Sequence, residues 1–172
     1  MDLQKILNNK EIKAKEKTIA ISQMLLDGKI IIAELIEFAQ TCKDPGKATC
    51  IEAIEFATKT KPEITSLASF NFLSKALAEK APRIKWESAK VIGNIAHLYP
   101  AKLTGPIKNL LINAEHSGTI VRWSAAFALA QIIKLKSSFN KDLIPAIESI
   151  CKREEKNSIR KIYLEALNQI KK

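Results

Sequence analysis

The chain has 172 residues, enough for one domain or one short repeat array, and 47% of them are apolar, so a core can be buried. Lys plus Arg outnumber Asp plus Glu by 28 to 18, a formal +10, which favours anionic partners such as nucleic acid, an acidic protein surface or anionic lipid, and equally serves plain solubility. No apolar run approaches the ~18 residues a membrane helix needs; the longest, over residues 29–39, is interrupted by Glu34 and Glu37.

Residues 2–8 read as a short opening helix, with Asp2 as its N-cap and Leu3, Ile6 and Leu7 on its apolar side. Asn8-Asn9 is a turn, with Asn9 placed to cap a second helix over 10–26. That helix carries Ile12, Ile19, Ala20 and Met24 at helical spacing and Lys10, Lys13, Lys15 and Lys17 on its other faces. Asp27-Gly28 ends it, the glycine supplying a left-handed C-cap. Helices over 29–42 and 45–60 follow, the second opening on Asp44-Pro45, with proline where its missing N–H costs nothing. A helix over 63–78 presents Ile64, Leu67, Phe70, Leu73 and Leu77 on one side. Ala81-Pro82 leads into a helix that ends near Tyr99-Pro100. Residues 104–114 form the next, and Ser117-Gly118 turns into one ending near Lys136. Asn140 is the expected cap of a helix over 141–153, and Asn157 or Ser158 that of a final helix running to the end of the chain.

The stretch 81–135 holds one pattern twice. A shift of 37 residues lays Ile84 on Val121, Lys85 on Arg122, Trp86 on Trp123, Ala89 on Ala126, Ile92 on Leu129 and Ile95 on Ile132. Anchoring the second helix of every pair on Ile12, Ala48, Ile84, Val121 and Ile159 gives steps of 36, 36, 37 and 38 residues. A fixed period of this size marks stacked repeats, in which no hairpin buries its apolar face alone. There is no strand-like alternation, low-complexity segment or linker. The expectation is one all-α domain over 1–172, with five helix-pair repeats near 1–27, 28–61, 62–100, 101–137 and 138–172.

The order of turn, Ile/Val, Lys/Arg, two residues and a run of small and aliphatic residues resembles the second helix of HEAT repeats, an armadillo-like family. Val121-Arg122 with Ala125-Ala126-Phe127-Ala128-Leu129-Ala130 and Ile84-Lys85 with Ser88-Ala89-Lys90-Val91-Ile92-Gly93 carry it best, and Ile159-Arg160 with Glu165-Ala166-Leu167 is a third copy. Pro106 and Pro145 take the family's early first-helix proline, and Glu79 and Glu154 its acid before the basic position; His116 stands in that slot before Arg122. The pattern is strong over 81–172 and weak over 1–60, where Thr49 replaces the basic residue, as in a degenerate terminal cap. The resemblance implies a right-handed α-solenoid with first helices on the convex side and second helices on the concave side. It also implies a scaffold for other macromolecules, with no catalytic motif to transfer.

Two groups of side chains stand out. Lys85, Arg122 and Arg160 form a basic ladder, either an inter-repeat series pairing with turn acids, its stems packed and its heads wet, or a row of phosphate contacts. Trp86 sits about 200° round the helix from Ile84, sharing a stripe with Lys90, Gly93, Asn94 and His97; the next repeat aligns Trp123 with Phe127, Ala130, Gln131 and Lys134. The corresponding stripes are Lys161, Glu165, Asn168 and Lys172 at the C-terminal end and Cys50, Ile54 and Lys61 in the second repeat. Tryptophan among polar and basic groups suits a macromolecular site, for a protein segment or for stacked bases, while the alternative is a spacer between repeats.

Cys42, Cys50 and Cys151 are odd in number and match no metal spacing, which fits a reducing, cytoplasmic setting. His97 and His116 lack convergent ligands, so no metal or cofactor is expected. No phosphate loop or hydrolase motif is present. The reading is therefore a non-enzymatic scaffold that binds a protein partner. A basic nucleic-acid groove is the second reading, and a HEAT-like DNA glycosylase a weaker variant of it, because Asp2, Asp27, Asp44 and Asp142 all fall near helix ends.

Overall fold

Gly28, at φ 66, closes the first helical hairpin, α1 (Leu3–Asn8) and α2 (Ala14–Leu26), as the Asp-Gly pair requires. The computed structural model describes residues 2–171; Met1 and Lys172 lie outside them, so the final helix and its stripe are followed no further. Four more hairpins follow: α3 (Ile32–Thr41) with α4 (Asp44–Thr60), α5 (Leu67–Ala76) with α6 (Pro82–Ile95), α7 (Thr104–Asn113) with α8 (Thr119–Ile133), and α9 (Asn140–Arg153) with α10 (Asn157–Ile170). There is no strand among the described residues.

Local hydrogen bonding moves several boundaries. Asn9 Oδ1 accepts the Glu11 N–H at 2.8 Å, which holds 9–13 in a turn, and α2 starts only where Glu16 accepts the Lys13 N–H at 2.8 Å. The helix expected over 63–78 is divided: Pro62–Ile64 forms a 3₁₀ turn, and Ser66 and Ser69 cap each other at 2.8 and 3.2 Å to open α5. After Ile95 the chain passes into two 3₁₀ turns, Ala96–Leu98 and Pro100–Lys102, so His97 is not on α6. Asn140 is the first residue of α9 rather than its cap, and its Nδ2 donates to Ile133 O at 2.8 Å. Lys156, not Asn157 or Ser158, holds the N-cap position of α10.

The hairpins stack into a right-handed α-solenoid. α2, α4, α6, α8 and α10 pack side by side in that order, and α3, α5 and α7 form a row against them. Small residues let the second helices approach: Ala48, Ala53 and Ala57 on α4, Ser88 and Ala89 on α6, and Ala125, Ala126 and Ala128 on α8 are all buried. Ile51, Ile54, Phe70, Leu73, Ile84, Ile92, Leu129 and Tyr163 fill the space between the rows, each such side chain contributing about 1.5–3 kcal/mol. The core takes one side of each second helix and leaves the other facing outward.

Outer face of the second helices as candidate functional site

The basic ladder is tied into the scaffold at the turns. Lys85 Nζ donates to Leu77 O at 3.3 Å and Asn113 Oδ1 at 3.2 Å. Arg122 grips Glu154 through Nε at 3.0 Å and donates from Nη1 to His116 O and Ser117 O. Arg160 donates to Glu154 O from Nε and Nη2 at 3.0 and 2.6 Å. Glu154 is buried, which opposes its charge, yet the Arg122 guanidinium and the backbone N–H groups of Lys156 and Glu155 hold its carboxyl below the usual range.

The outward stripe is longer than its aromatic part. On α8 it runs Ile120, Trp123, Phe127, Gln131 and, at the helix end, Lys134; Ile120 is 55% and Trp123 38% exposed. The Trp123 and Phe127 rings lie parallel with centroids 6.0 Å apart. On α6 the stripe is Arg83, half-buried Trp86, Lys90 and Asn94, with exposed His97 beyond the helix end. The 37-residue register thus carries from α6 to α8. In α4 it does not: Cys50 and Ile54 are fully buried, and Lys61 stands past the helix. There the outward side chains are Glu52, Phe56 and Lys59, with Glu55 buried, a shift of about half a turn that the weak second repeat concealed. Ile19 on α2 is exposed, and on α10 the register continues as polar Lys161, Glu165 and Asn168; Leu164 instead lines a cleft with Glu148, Cys151 and Lys152 of α9.

Between α4 and α6 this face carries a polar network that the 37-residue pattern missed. Glu55 is 1% and Glu87 3% exposed. Glu55 Oε1 receives Lys59 Nζ at 2.7 Å, and Glu87 Oε1 accepts the Trp86 indole N–H at 2.7 Å. Lys90 Nζ stands between the two carboxylates, 2.7 Å from Glu87 Oε2 and 3.8 Å from Glu55 Oε2, and neither oxygen accepts an aligned hydrogen bond. Asn94 Nδ2 donates to Glu55 O at 3.2 Å and Thr58 Oγ1 at 3.1 Å; Arg83 Nη2 donates to Glu52 at 2.7 Å, which also accepts from Thr18. Burial pushes the Glu87 carboxyl up, against the pull of Lys90. The recognisable signal was two glutamates among the apolar residues of α4 and α6, each within four residues of a lysine.

The chain matches no protein-family model and no curated protein. Solved structures do share its architecture. A designed armadillo repeat protein in complex with the peptide (KR)4 superposes with a TM-score of 0.76 at 18% identity, over 97% of this chain and 79% of that one. Computationally designed armadillo repeat proteins for modular peptide recognition give 0.72 at 18% identity, over 97% and 80%. The fold is an armadillo/HEAT-like solenoid. A chain from the complex of CpcE and CpcF of phycocyanin lyase from Nostoc sp. PCC7120 shares it over 96% of this chain and 95% of that one, with a TM-score of 0.69 at 16% identity. At such identities the shared property is the fold. No group of three metal-ligating side chains and no helix long and apolar enough to cross a membrane occurs among the described residues.

Proposed function

We propose that residues 1–172 act as one domain, a non-catalytic scaffold of five helix pairs that binds an extended segment of a protein partner across the second helices, on the concave side of the solenoid. The observation that carries this reading is the row of large outward side chains: Ile19, Phe56, Trp86, and Trp123 with Phe127, one or two to each of the first four second helices. Polar Lys90, Asn94, His97, Gln131 and Lys134 flank it, giving anchors for side chains and partners for a main chain. Large side chains left wet in succession suit an interface. The designed armadillo proteins of the same architecture, one in complex with a peptide and others made for modular peptide recognition, support the same use.

The nucleic-acid reading draws on the +10 charge, but Lys59, Arg83, Lys85, Lys90, Arg122 and Arg160 are already engaged by carboxylates or carbonyls. The four aspartates stand at helix termini, at the first or last turns of α1, α2, α4 and α9, which leaves a glycosylase no aspartate beside the tryptophans. The test is selection from a displayed library of unstructured peptides, with a Trp123→Ala counter-screen, beside anisotropy titrations of labelled oligonucleotides at two salt concentrations. Peptides that need Trp123 and hold at moderate salt are expected. Oligonucleotide binding that collapses with salt, with no peptide enriched, overturns the proposal.

A further inference from the structure

α10 packs on α8 and α9, and among the described residues no element lies on its opposite side. A cleft of about 500 Å³ opens there between α9 and α10. Its floor is apolar: Cys151 and Leu167 are each 5% exposed, and Leu164 is 47% exposed. Three cations stand round it, Lys152, Arg160 and Lys171, against one carboxylate, Glu148. Lys152 is exposed and forms no ion pair with a described residue. Arg160 reaches the Glu154 carbonyl, at 3.0 and 2.6 Å, a neutral partner that leaves its charge uncompensated. Along α10 the lining runs from Arg160 to Lys171, three turns and about 16 Å.

The repeat register excludes one occupant. Gly93 of α6 meets Phe127 and Ala128 of α8, so its position faces the following second helix. The same position is Ala57 on α4 and Ala130 on α8, and one turn earlier stand Ala53, Ala89 and Ala126, all buried. On α10 these two positions are Asn168 and Leu164, both exposed. An amide and a branched side chain hold off the close approach that alanine and glycine allow, so the face is not shaped for another hairpin of this kind from a second copy. What it offers is an apolar floor ringed by positive charge, over the length of a short helix. We propose that the α9–α10 cleft docks an acidic amphipathic helix of a protein partner, with its aliphatic side chains on Leu164 and Leu167 and its carboxylates toward Lys152, Arg160 and Lys171. An apolar helical stripe laid in a groove is a recurring recognition mode, and opposite charge round it fixes register and speeds encounter. This surface is separate from the row of large side chains on the second helices and does not depend on it.

The experiment uses three labelled peptides matched to the 14 residues of α10, with leucines along one helical face and Glu, Gln or Lys on its flanks. Fluorescence anisotropy follows their binding to the whole chain. The Glu peptide is expected to bind at least about fivefold more tightly than the Gln peptide, from a few exposed ion pairs, and the Lys peptide not measurably. Lys152→Glu and Leu164→Ser, both at exposed side chains, should each weaken the Glu peptide by about tenfold. Lys10→Glu, an equal change of net charge at the opposite end of the array, should alter it by less than about twofold, because salt screens distant charges. Equal binding of the Glu and Gln peptides to the unaltered protein, or no binding, overturns the proposal without appeal to any variant. So does a loss as large for Lys10→Glu as for Lys152→Glu, which makes the attraction that of the +10 chain as a whole. Binding indifferent to Leu164→Ser places the peptide elsewhere and also sinks it. Sedimentation velocity is expected to show a monomer; a dimer that Leu164→Ser dissociates would assign the face to a second copy instead.

Discussion

Phe127 of α8 lies against Gly93 of α6, so closely that a β-carbon on Gly93 would stand 2.6 Å from Phe127 Cε1, 2.9 Å from Cδ1 and 3.2 Å from the Ala128 Cα. The missing side chain on one repeat is what admits the ring of the next. Alanine is better than glycine in a helix by about 1 kcal/mol, but the overlap with ring and backbone should outweigh it. Gly93→Ala is expected to destabilise the chain by about 1–2 kcal/mol in urea unfolding, an overpacking cost, and adding Phe127→Leu should recover part of the loss. Stability at or above that of the parent would mean that the ring yields freely.

Two glutamates give opposite pH signatures. The Glu154 carboxyl is held below its usual range, so its contribution is present above the unfolded value of about 4.3 and is lost as pH falls through the folded value. Glu87 is pushed up by burial; the folded chain holds that proton more tightly, and stability is lost as pH rises from about 4.3 through the folded value. Glu154→Gln should cost about 2 kcal/mol at neutral pH, the range for a hydrogen bond to a charged group, and flatten the acid limb of the stability curve. Glu87→Gln should flatten the slope above pH ~4.3 instead. Urea unfolding across pH 3–8 reads both, and parallel curves for the two variants would contradict the assignment.

Lys136 is the one non-glycine residue with positive φ among those described, at 52°, just past the end of α8, where its N–H donates to Ile133 O at 3.1 Å. Glycine adopts this conformation without the Cβ penalty. Since Lys136 is exposed and forms no salt bridge with any described residue, Lys136→Gly should raise stability by about 0.5–1 kcal/mol. A melting temperature that falls would show a role for the lysine side chain that its exposure hides.

The repeat period and the helix pairs were legible because Ile84, Val121 and Ile159 must all be buried in the same way, and burial imposes one residue type at one spacing. The outward face of α8 was legible for the same reason, since Trp123, Phe127 and Gln131 follow the α6 register. The face of α4 was not. Cys50 and Ile54 occupy the positions of Trp86 and Lys90 in the numbering but point into the core, while Glu52 meets Thr18 and Arg83 and the buried Glu55 pairs with Lys59 and approaches Lys90. A pairing between side chains more than 30 residues apart leaves no periodic trace, so the Glu55–Lys90–Glu87 network had to wait for the packing of α4 on α6.

The two tryptophans share a sequence position but not an environment, and truncating them should separate stability from binding. Trp86 is half-buried, and its indole N–H supplies the aligned donor of a carboxylate that is 3% exposed. Trp86→Ala removes packing and leaves Glu87 Oε1 without that donor, for an expected loss of roughly 2–3 kcal/mol, less than a fully buried tryptophan because part of the ring is already wet. Trp123 is 38% exposed, and it stacks on the parallel ring of Phe127 with centroids 6.0 Å apart. Trp123→Ala should cost about 1 kcal/mol, the worth of an aromatic pair. If both rings serve the partner, both variants lose binding by similar factors while differing in unfolding midpoint. Equal stability losses with binding intact would make the two rings spacers between repeats, and the search for the site would move to Ile19 and Phe56.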